Sequence, residues 1–415
     1  MVAGTVRHLY VHVPFCRTRC AYCDFVSEVL RPAAREPAAA AYLASLREEL
    51  HAFRSLLDVQ VDTVYVGGGT PTCLPVGVLV ELVRMVTGGS PAAEPVGSGG
   101  GGYGCVTGEG MWPREISIEA NPESLQERTL LRLLEEGVTR LSIGIQSFDV
   151  SLRSVLGRRV ADKDIHDACA LPVACGLENW NIDLIFGIPG QSWMQAERDL
   201  ARAVAAGPAH ISLYDLTYTP RFAAGLARRF GPEAQAQAQI FAERHYERAV
   251  ALLESAGYGR YEVSNFALPG FECRHNQGYW QGHDYLGLGA GAVSTVGRYR
   301  WTNPAPVETY CRVWPPGQEV ERVTALCSHR LRSFGADVEE LAPRTKLFER
   351  AMLGLRTRQG VGRRLIEPVL DGTRTAILLE RGLLEERCGK LTLSVGGLNV
   401  VNAVLSAILL TPADE

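Results

Sequence analysis

The chain has 415 residues, of which 46% are hydrophobic and 21% charged, with a formal net charge of −4 at pH 7 and 11 cysteines. Its composition is that of a folded globular protein, and its length favours two or three domains. The slightly acidic balance gives no electrostatic support for non-specific nucleic-acid binding, which requires clustered positive charge, so we expect no nucleic-acid partner. It does not exclude local basic patches. Without an apolar run of ~20 residues or a secretory signal, and with an odd number of cysteines that favours reduced thiols, we expect a cytoplasmic protein.

Strand-like and helical segments alternate over the first half of the chain. The predicted strands cover residues 9–13, 61–66, 115–119, 140–145, 180–185 and 210–216. The helices predicted between them include 39–57, 75–86 and 125–136. Strands that alternate with helices of this length pair in parallel through right-handed crossovers. The pattern predicts an α/β fold built on a partial (β/α)6 barrel of the TIM type, with its chemistry at the carboxyl ends of the strands.

The chain divides into three predicted regions. Residues 1–230 form the core barrel, interrupted at 87–109 by a Gly-, Ser- and Pro-rich segment that we interpret as a flexible insertion. Residues 231–337 form a lid region with a Gly- and aromatic-rich stretch at 258–292. Residues 338–415 form a smaller, mostly helical or winged-helix-like C-terminal domain.

Three cysteines, Cys16, Cys20 and Cys23, lie within eight residues directly after the first predicted strand. Three thiols on one loop can converge on one metal centre, and soft thiolates favour iron–sulfur clusters, zinc or copper(I). Zinc usually requires a fourth Cys or His ligand, and the sequence has no second Cys-x-x-Cys pair. A structural zinc site and three neighbouring structural cysteines are the competing interpretations. A cluster that is held by three thiolates and leaves one iron open to a small molecule is the favoured one.

The spacing Cys-x-x-x-Cys-x-x-Cys, with Tyr22 before the last cysteine, resembles the signature of the radical S-adenosylmethionine superfamily. A second segment, Gly67-Gly68-Gly69-Thr70-Pro71, resembles the loop that binds the methionine amino group in that superfamily. Glycines there let the backbone approach a ligand, although a tight turn before a helix capped by Thr70 would also explain the segment. The resemblance implies a [4Fe-4S] cluster whose open iron binds S-adenosylmethionine and which, when reduced, cleaves it to a radical.

The same resemblance implies further S-adenosylmethionine contacts at successive strand ends. Arg158 can pair with the methionine carboxylate, and Glu119 or Asp183 can accept hydrogen bonds from the ribose hydroxyls. Either carboxylate, taken alone, could instead cap a helix or form a salt bridge. The implied contacts are Tyr10, Tyr22, Gly68, Gly69, Thr70, Glu119, Gln146, Arg158 and Asp183.

Residues 257–290 carry a second resemblance. The run Arg274-His-Asn-Gln-Gly-Tyr-Trp280 is similar to the HNxxYW motif of the HemW family of haem chaperones, and the resemblance continues over nearly the whole chain. It implies a haem contact by His275, Asn276, Tyr279 and Trp280. An imidazole can bind iron axially, and aromatic rings offer a flat surface to a porphyrin. Without the resemblance, a structural histidine among core aromatics would be the ordinary interpretation.

Phe25 distinguishes this chain from a related group of enzymes. Oxygen-independent coproporphyrinogen III oxidases, also called dehydrogenases, resemble it but carry another cysteine at that position, so Phe25 argues against their activity. The chain also departs from the HemW pattern, because Val160 and Val293 stand where histidine is common in that family. These departures put in question whether haem is handled here as it is in relatives.

The resemblance implies a binding and transfer protein that delivers haem to acceptor proteins. The cluster and S-adenosylmethionine would regulate or enable dimerisation or transfer, and an electron donor is implied if the cluster is reduced. A homodimer, and peripheral membrane association through an acceptor, are compatible with this function. The alternatives are radical oxidative decarboxylation of coproporphyrinogen III and another radical modification or degradation of haem.

Overall fold

The structure is a computed structural model that describes residues 6–31, 35–58, 60–88, 112–317, 322–323 and 325–411. Of the predicted insertion at 87–109, Thr87 ends a helix, Gly88 follows it in the left-handed conformation, and the remainder lies outside the described residues. None of the helices in the described ranges is long and apolar enough to cross a membrane.

The strands are β1 (His8–Val13), β2 (Phe15–Cys16), β3 (Glu28–Val29), β4 (Thr63–Gly68), β5 (Glu115–Ala120), β6 (Arg140–Gln146), β7 (Trp180–Phe186), β8 (His210–Asp215), β9 (Gly259–Arg260), β10 (Asn265–Ala267), β11 (Tyr285–Leu288), β12 (Val293–Val296), β13 (Tyr299–Thr302), β14 (Asp337–Glu340), β15 (Val361–Gly362), β16 (Leu384–Arg387) and β17 (Lys390–Leu393). The helices are α1 (Arg35–Phe53), α2 (Val76–Thr87), α3 (Glu127–Glu135), α4 (Val150–Val155), α5 (Asp162–Ala174), α6 (Trp193–Ala206), α7 (Pro220–Phe230), α8 (Ala234–Ser255), α9 (Arg274–Trp280), α10 (Val307–Val313), α11 (Ser328–Ser333), α12 (Pro343–Gly354), α13 (Arg363–Ile366), α14 (Gly372–Glu380), α15 (Val395–Asn399) and α16 (Val401–Ile408).

The main sheet has the strand order β14-β13-β12-β11-β1-β4-β5-β6-β7-β8-β10-β9. Its six central strands, β1 and β4 to β8, pair in parallel in chain order. The predicted partial (β/α)6 barrel is therefore confirmed. β11 pairs in parallel with β1, and the outer strands pair antiparallel at both edges. In the described ranges β14 and β9 do not pair with each other, so the sheet is open.

The barrel strands alternate between polar and apolar residues, and the alternation assigns each face. Along β1, Leu9, Val11 and Val13 are fully buried in the main apolar core. The intervening residues of the same strand, such as Tyr10, contact polar side chains of the neighbouring strands. The apolar face buries its area against the surrounding helices, which stabilises the sheet. The polar face lines the barrel interior, where branched apolar side chains are usual, so the interior is suited to a polar ligand.

The segments after the barrel strands extend the same sheet and then form a helical C-terminal region. From the predicted lid region, β9 to β13 join the main sheet, while its boundaries at 231 and 337 stay a prediction. The C-terminal region, α12 to α16, packs on a small antiparallel sheet with the order β15-β17-β16. It has an apolar core of its own, which includes Leu355, Ile366 and Leu391. The predicted helical character of this region is confirmed.

Candidate functional site

The three clustered cysteines lie on the loop that leaves the carboxyl end of β1. Short strands at the two ends of this loop pair in parallel, with Cys16 opposite Val29. The middle of the loop is held from the side, because the amide of Ala21 donates to the carbonyl of Leu156 over 3.0 Å. Cys16, Cys20 and Cys23 are free thiols of intermediate exposure. The sequence prediction that places them at a strand end is confirmed.

The separation of the thiols bears on the kind of metal centre. In the part of the chain that the structure describes, no three His, Cys, Asp or Glu side chains converge closely enough to hold one metal ion. Burial raises the pKa of Cys16 and of Cys23, and the charge of nearby thiols adds to this effect. A structural zinc ion usually takes four protein ligands. A cubane cluster binds each thiolate through a different iron, and three thiolates leave its fourth iron open.

A chain of hydrogen bonds connects two of the cysteines through residues that follow β4, β5 and α4. The Thr70 hydroxyl lies 3.7 Å from the Cys16 sulfur and accepts from Asn121 Nδ2 at 2.8 Å. Arg158 Nη2 donates to Asn121 Oδ1 at 2.9 Å, and its Nη1 lies 3.7 Å from the Cys20 sulfur. The predicted residues Thr70 and Arg158 therefore lie beside the predicted cluster ligands. Asn121 was missed by the sequence analysis, although its position directly after β5 was the available signal.

The glycine loop after β4 is shaped by close packing. Gly68 has φ 106°, and a Cβ there would lie 2.5 Å from the His12 ring. A Cβ on Gly69 would lie 2.6 Å from the carbonyl oxygen of Phe15. Only glycine fits either position. Thr70 makes no capping hydrogen bond to the short helix that follows, so the alternative of a simple capped turn is wrong.

Two half-buried carboxyl groups line the barrel interior near the same edge. Glu119 accepts from the Tyr65 hydroxyl at 2.8 Å and from the Gly68 amide at 3.1 Å. Burial and the nearby Asp183 raise the pKa of Glu119 to about 7. Asp183 accepts from Asn181 Nδ2 at 2.8 Å, and burial raises its pKa as well. Neither group caps a helix or forms an ion pair within the described ranges, so both stay available to polar ligand groups.

Gln146 ends β6 in an unusual backbone conformation. Its φ is 69°, and the pairing of β6 with β7 shifts register between Gly144 and Gln146. The side chain folds back over Gly144, where a Cβ would lie 2.9 Å from Gln146 Nε2 and 3.1 Å from Asn121 Oδ1. Left-handed backbone in a non-glycine residue costs of order 1–3 kcal/mol and is concentrated at functional sites. The strain brings the Gln146 amide to the group formed by Asn121 and Arg158.

A cavity of about 270 Å³ opens beside the cysteine loop. Its lining comprises Tyr10, His12, Asp24, Phe25, Val26, Tyr279, Tyr285, Gly291, Ala292 and Val293. The Tyr10 hydroxyl oxygen lies 3.0 Å from His12 Nδ1, and His12 Nε2 lies 2.8 Å from the Val26 carbonyl oxygen. The cavity therefore joins the predicted cofactor residue Tyr10 to Tyr279 of the HNxxYW motif. Tyr22, by contrast, packs against the apolar cluster around Leu156.

The structure separates the residues of the HNxxYW motif. His275 is 2% exposed, and its Nδ1 lies 2.7 Å from the Thr63 hydroxyl at the amino end of β4, opposite the cysteine loop. Its ring stacks on Tyr65 at 5.1 Å, and its Nε2 has no hydrogen-bond partner in the described ranges. Asn276 is half-buried on the same helix. Trp280 is five residues beyond His275, about 140° around the helix, and faces away from the barrel.

This placement bears on the predicted haem contact. A buried His275 reaches no ligand outside the barrel unless its surroundings move, because residues of β1 and β4 enclose it. Tyr279 and Trp280 each line a cavity, but two different ones. The axial role of His275 stays a prediction. Of the two departures from the family pattern, Val293 lines the cavity beside the cysteine loop, and Val160 belongs to the main core.

Comparisons with known proteins agree with this arrangement. The family model described as the radical SAM superfamily matches residues 10–203. The haem chaperone HemW of Mycobacterium tuberculosis strain H37Rv is 34% identical over 403 residues, which cover 97% of this chain and 94% of that protein. The haem chaperone HemW of Bacillus subtilis strain 168 is 29% identical and covers 97% of this chain and 99% of its own.

One solved structure shares the fold over almost the whole chain. Coproporphyrinogen III oxidase (HemN) of Escherichia coli, described as a radical SAM enzyme, superimposes with a TM-score of 0.72 at 21% identity. The alignment covers 98% of this chain and 91% of that chain. At this identity the likeness shows the common fold alone, whereas the full-length similarity to the chaperones shows the family. The chain belongs to the HemW family of the radical SAM superfamily.

Proposed function

We propose that the chain is a haem chaperone that binds haem and transfers it to acceptor proteins. The observation that carries the proposal is its 34% identity, over 97% of its length, to a relative named as a haem chaperone. Membership of the radical SAM superfamily implies a [4Fe-4S] cluster and S-adenosylmethionine as cofactors. Haem as the cargo, and the acceptor proteins, are the further steps of the proposal.

The residues on the cysteine loop and its neighbours fit these cofactors. Cys16, Cys20 and Cys23 would hold the cluster, which when bound supplies one-electron chemistry and an open iron for the methionine group. The Thr70 hydroxyl and the Arg158 guanidinium point donors at the Cys16 and Cys20 sulfurs and would donate to these sulfurs when they bind iron. The arginine cation adds a favourable charge that a neutral donor would lack.

The polar interior fits the remainder of S-adenosylmethionine. Glu119 and Asp183 present carboxyl oxygens on neighbouring parts of the inner face and would accept from the ribose hydroxyls. With a pKa near 7, Glu119 can hold or release a proton close to neutral pH. The Gly68 amide is already bound to Glu119, so this carboxylate also fixes the glycine loop. Gln146 adds an amide beside Arg158.

Phe25 favours transfer over coproporphyrinogen oxidation. It is 63% exposed and lines the cavity beside the cysteine loop, so the side chain at this position faces any molecule held there. Relatives that act as oxidases carry a thiol at the equivalent position. A phenyl ring offers neither a metal ligand nor an ionisable group.

The remaining parts of the proposal concern the surroundings of the protein. An electron donor is required if the cluster is reduced during the cycle. A homodimer and a cytoplasmic location, with membrane association only through an acceptor, complete the proposed setting.

Anaerobic reconstitution with iron and sulfide tests the proposal directly. The reconstituted protein should be brown, should bind haem with a shifted haem absorbance band, and should deliver haem to a haem-free acceptor. It should form no protoporphyrinogen from coproporphyrinogen III. Product formation in that assay would overturn the chaperone function, and a colourless protein with no iron would overturn the cluster. Replacement of all three cysteines by alanine should abolish iron retention.

A further inference from the structure

A second and larger cavity lies between α9 and the C-terminal region, away from the cysteine loop. Its volume is about 540 Å³, within the range of sites for small molecules. One wall is formed by α9 and β9, including Trp280. The opposite wall is formed by α12, β15 and the turn between them, and β17 contributes Lys390 at its start. We call this cavity the α9 groove.

The α9 groove carries an excess of cations. Arg260, Arg350, Arg358 and Lys390 line it, against the single carboxylate of Glu272. Arg260 is engaged, since it donates to Asn399 Oδ1 at 2.7 Å and to a backbone carbonyl. Arg358 lies 4.0 Å from its nearest carboxylate, on Glu254, with both side chains partly exposed.

Two of these cations have no partner of their own. Within the described ranges, the Arg350 guanidinium and the Lys390 amine make no hydrogen bond or ion pair. Arg350 lies on α12, close to Gly282. Its Nη1 is 3.8 Å from the position that a Cβ on Gly282 would occupy. Both side chains are exposed at the groove, so they can meet a ligand without breaking an existing pair. Unpaired cations around a cavity favour an anionic ligand.

An aromatic ring and aliphatic side chains complete the lining. Trp280 is half-buried, and within the described ranges it forms no ring–ring contact, unlike Tyr279 and His275 of the same helix. Val361 and Leu365 add apolar surface on the opposite side. A free indole face opposite aliphatic groups suits a flat, apolar molecule.

We propose that the α9 groove is a binding site for a planar dicarboxylate, that is, the porphyrin ring of haem with its two carboxylates. The ring lies against Trp280, while Arg350 and Lys390 pair with the carboxylates. This inference rests on the proposed function and specifies where the cargo binds. It places the cargo at the amino end of the barrel strands, separated by the barrel interior from the cysteine loop.

The lining of the α9 groove predicts which porphyrins bind there. Neither His275 nor Tyr279 lines the groove, and its lining contains no histidine. Binding therefore depends on the ring and its charges and not on an axial histidine. Metal-free protoporphyrin should occupy the site as haem does, and a porphyrin dimethyl ester, which lacks the charges, should not.

The test uses the full chain, titrated with haem by absorbance and with metal-free protoporphyrin by fluorescence. Arg350→Gln and Lys390→Gln should each weaken both ligands about tenfold, the equivalent of ~1.4 kcal/mol for a lost charge-assisted contact. Trp280→Ala should weaken them further. Arg344→Gln is the matched control, because Arg344 is exposed on the same helix α12 and does not line the groove. These variants change exposed or half-buried side chains, so each should fold.

Each outcome separates the groove from the chaperone function. If the wild-type protein binds haem while Arg350→Gln and Lys390→Gln match Arg344→Gln, the groove is not the site and the proposed function stands. If the dimethyl ester binds as tightly as the diacid, the recognition of carboxylates is wrong. If the wild-type protein binds no haem at all, both proposals fail.

Discussion

Arg158 connects the cysteine loop to the barrel at Cys20, because its Nη1 lies 3.7 Å from the Cys20 sulfur. The same guanidinium donates to Asn121 and to the Gly144 carbonyl, so it is held by the carboxyl ends of β5 and β6. It is 6% exposed. A buried cation fixed in this way keeps a positive charge beside the Cys20 sulfur and fixes the loop at the same time.

Arg158→Gln should reduce the iron content after reconstitution and weaken S-adenosylmethionine binding about tenfold. The reason is the loss of a charge-assisted contact to the sulfur, worth roughly 1.5–3 kcal/mol. Iron analysis and equilibrium dialysis with S-adenosylmethionine measure the two effects. Arg159→Gln is the control, because Arg159 is the next residue and is exposed. Equal iron content in the two variants would contradict the role of Arg158.

Thr70→Val should make the cluster more labile, while Thr70→Ser should behave as the wild type does. Valine keeps the shape of threonine but removes the hydroxyl that contacts Cys16 and accepts from Asn121. The loss leaves the Asn121 amide unsatisfied, at a cost of about 1–3 kcal/mol. The decay of the cluster absorbance in the presence of a chelator measures lability. A valine variant as durable as the serine variant would rule out a role for the hydroxyl.

Gly68→Ala should lower the free energy of unfolding by about 1–3 kcal/mol. Its φ of 106° disfavours any side chain, and the added Cβ would meet the His12 ring. Urea unfolding measures the change. Gly77→Ala is the opposite control: Gly77 lies in α2 with nothing within 4 Å of an added Cβ, so alanine should stabilise by ~0.4–1 kcal/mol. A neutral effect at position 68 would mean that the loop rearranges freely.

The raised pKa of Glu119 predicts a particular dependence of stability on pH. Because burial raises the folded-state value from 4.5 to about 7, the folded protein prefers the protonated carboxyl. Its contribution to stability is therefore fully present below pH 4.5 and is lost as the pH rises through 7.

Glu119→Gln should remove this dependence. Glutamine cannot ionise, so the difference in unfolding free energy between variant and wild type should change by roughly 3 kcal/mol at most across that window. Urea unfolding of the cofactor-free proteins at several pH values measures the difference. The buried Glu49, whose pKa burial also raises to about 7, is present in both proteins and cancels in the comparison. A constant difference across the window would show that the Glu119 carboxyl titrates normally.

His275→Ala should mainly reduce stability and leave haem affinity within a few-fold of the wild type. The imidazole is buried between Thr63 and Tyr65, so its removal leaves a cavity that costs about 2–4 kcal/mol. Thermal unfolding and the haem titration are measured on the same preparation. Loss of the haem absorbance band in a variant that remains folded would instead support the axial role that the sequence predicts for His275.

Much of the fold and part of the site were predictable because they depend on neighbours in sequence. The strict alternation in β1, Leu-Tyr-Val-His-Val, identifies a strand with one apolar face, and β5, β6 and β8 repeat the pattern. Cys16 to Cys23 and the segment Gly67–Pro71 are local motifs, so their positions at strand ends follow from the strand assignment. The predicted strand 61–66 is observed at Thr63–Gly68, a shift of two residues that local propensity does not resolve.

The amino-acid sequence alone determined the barrel and the cysteine loop, because these are set by periodicity and spacing along the chain, and its motifs carried the resemblance to the family. Only the tertiary structure decided that Asn121 joins Thr70 to Arg158, since that contact brings together the segments that follow β4, β5 and α4. It also decided that Tyr279 and Trp280 line two different cavities. A helix turns by about 100° per residue, and only the elements packed around it decide what each of its faces meets.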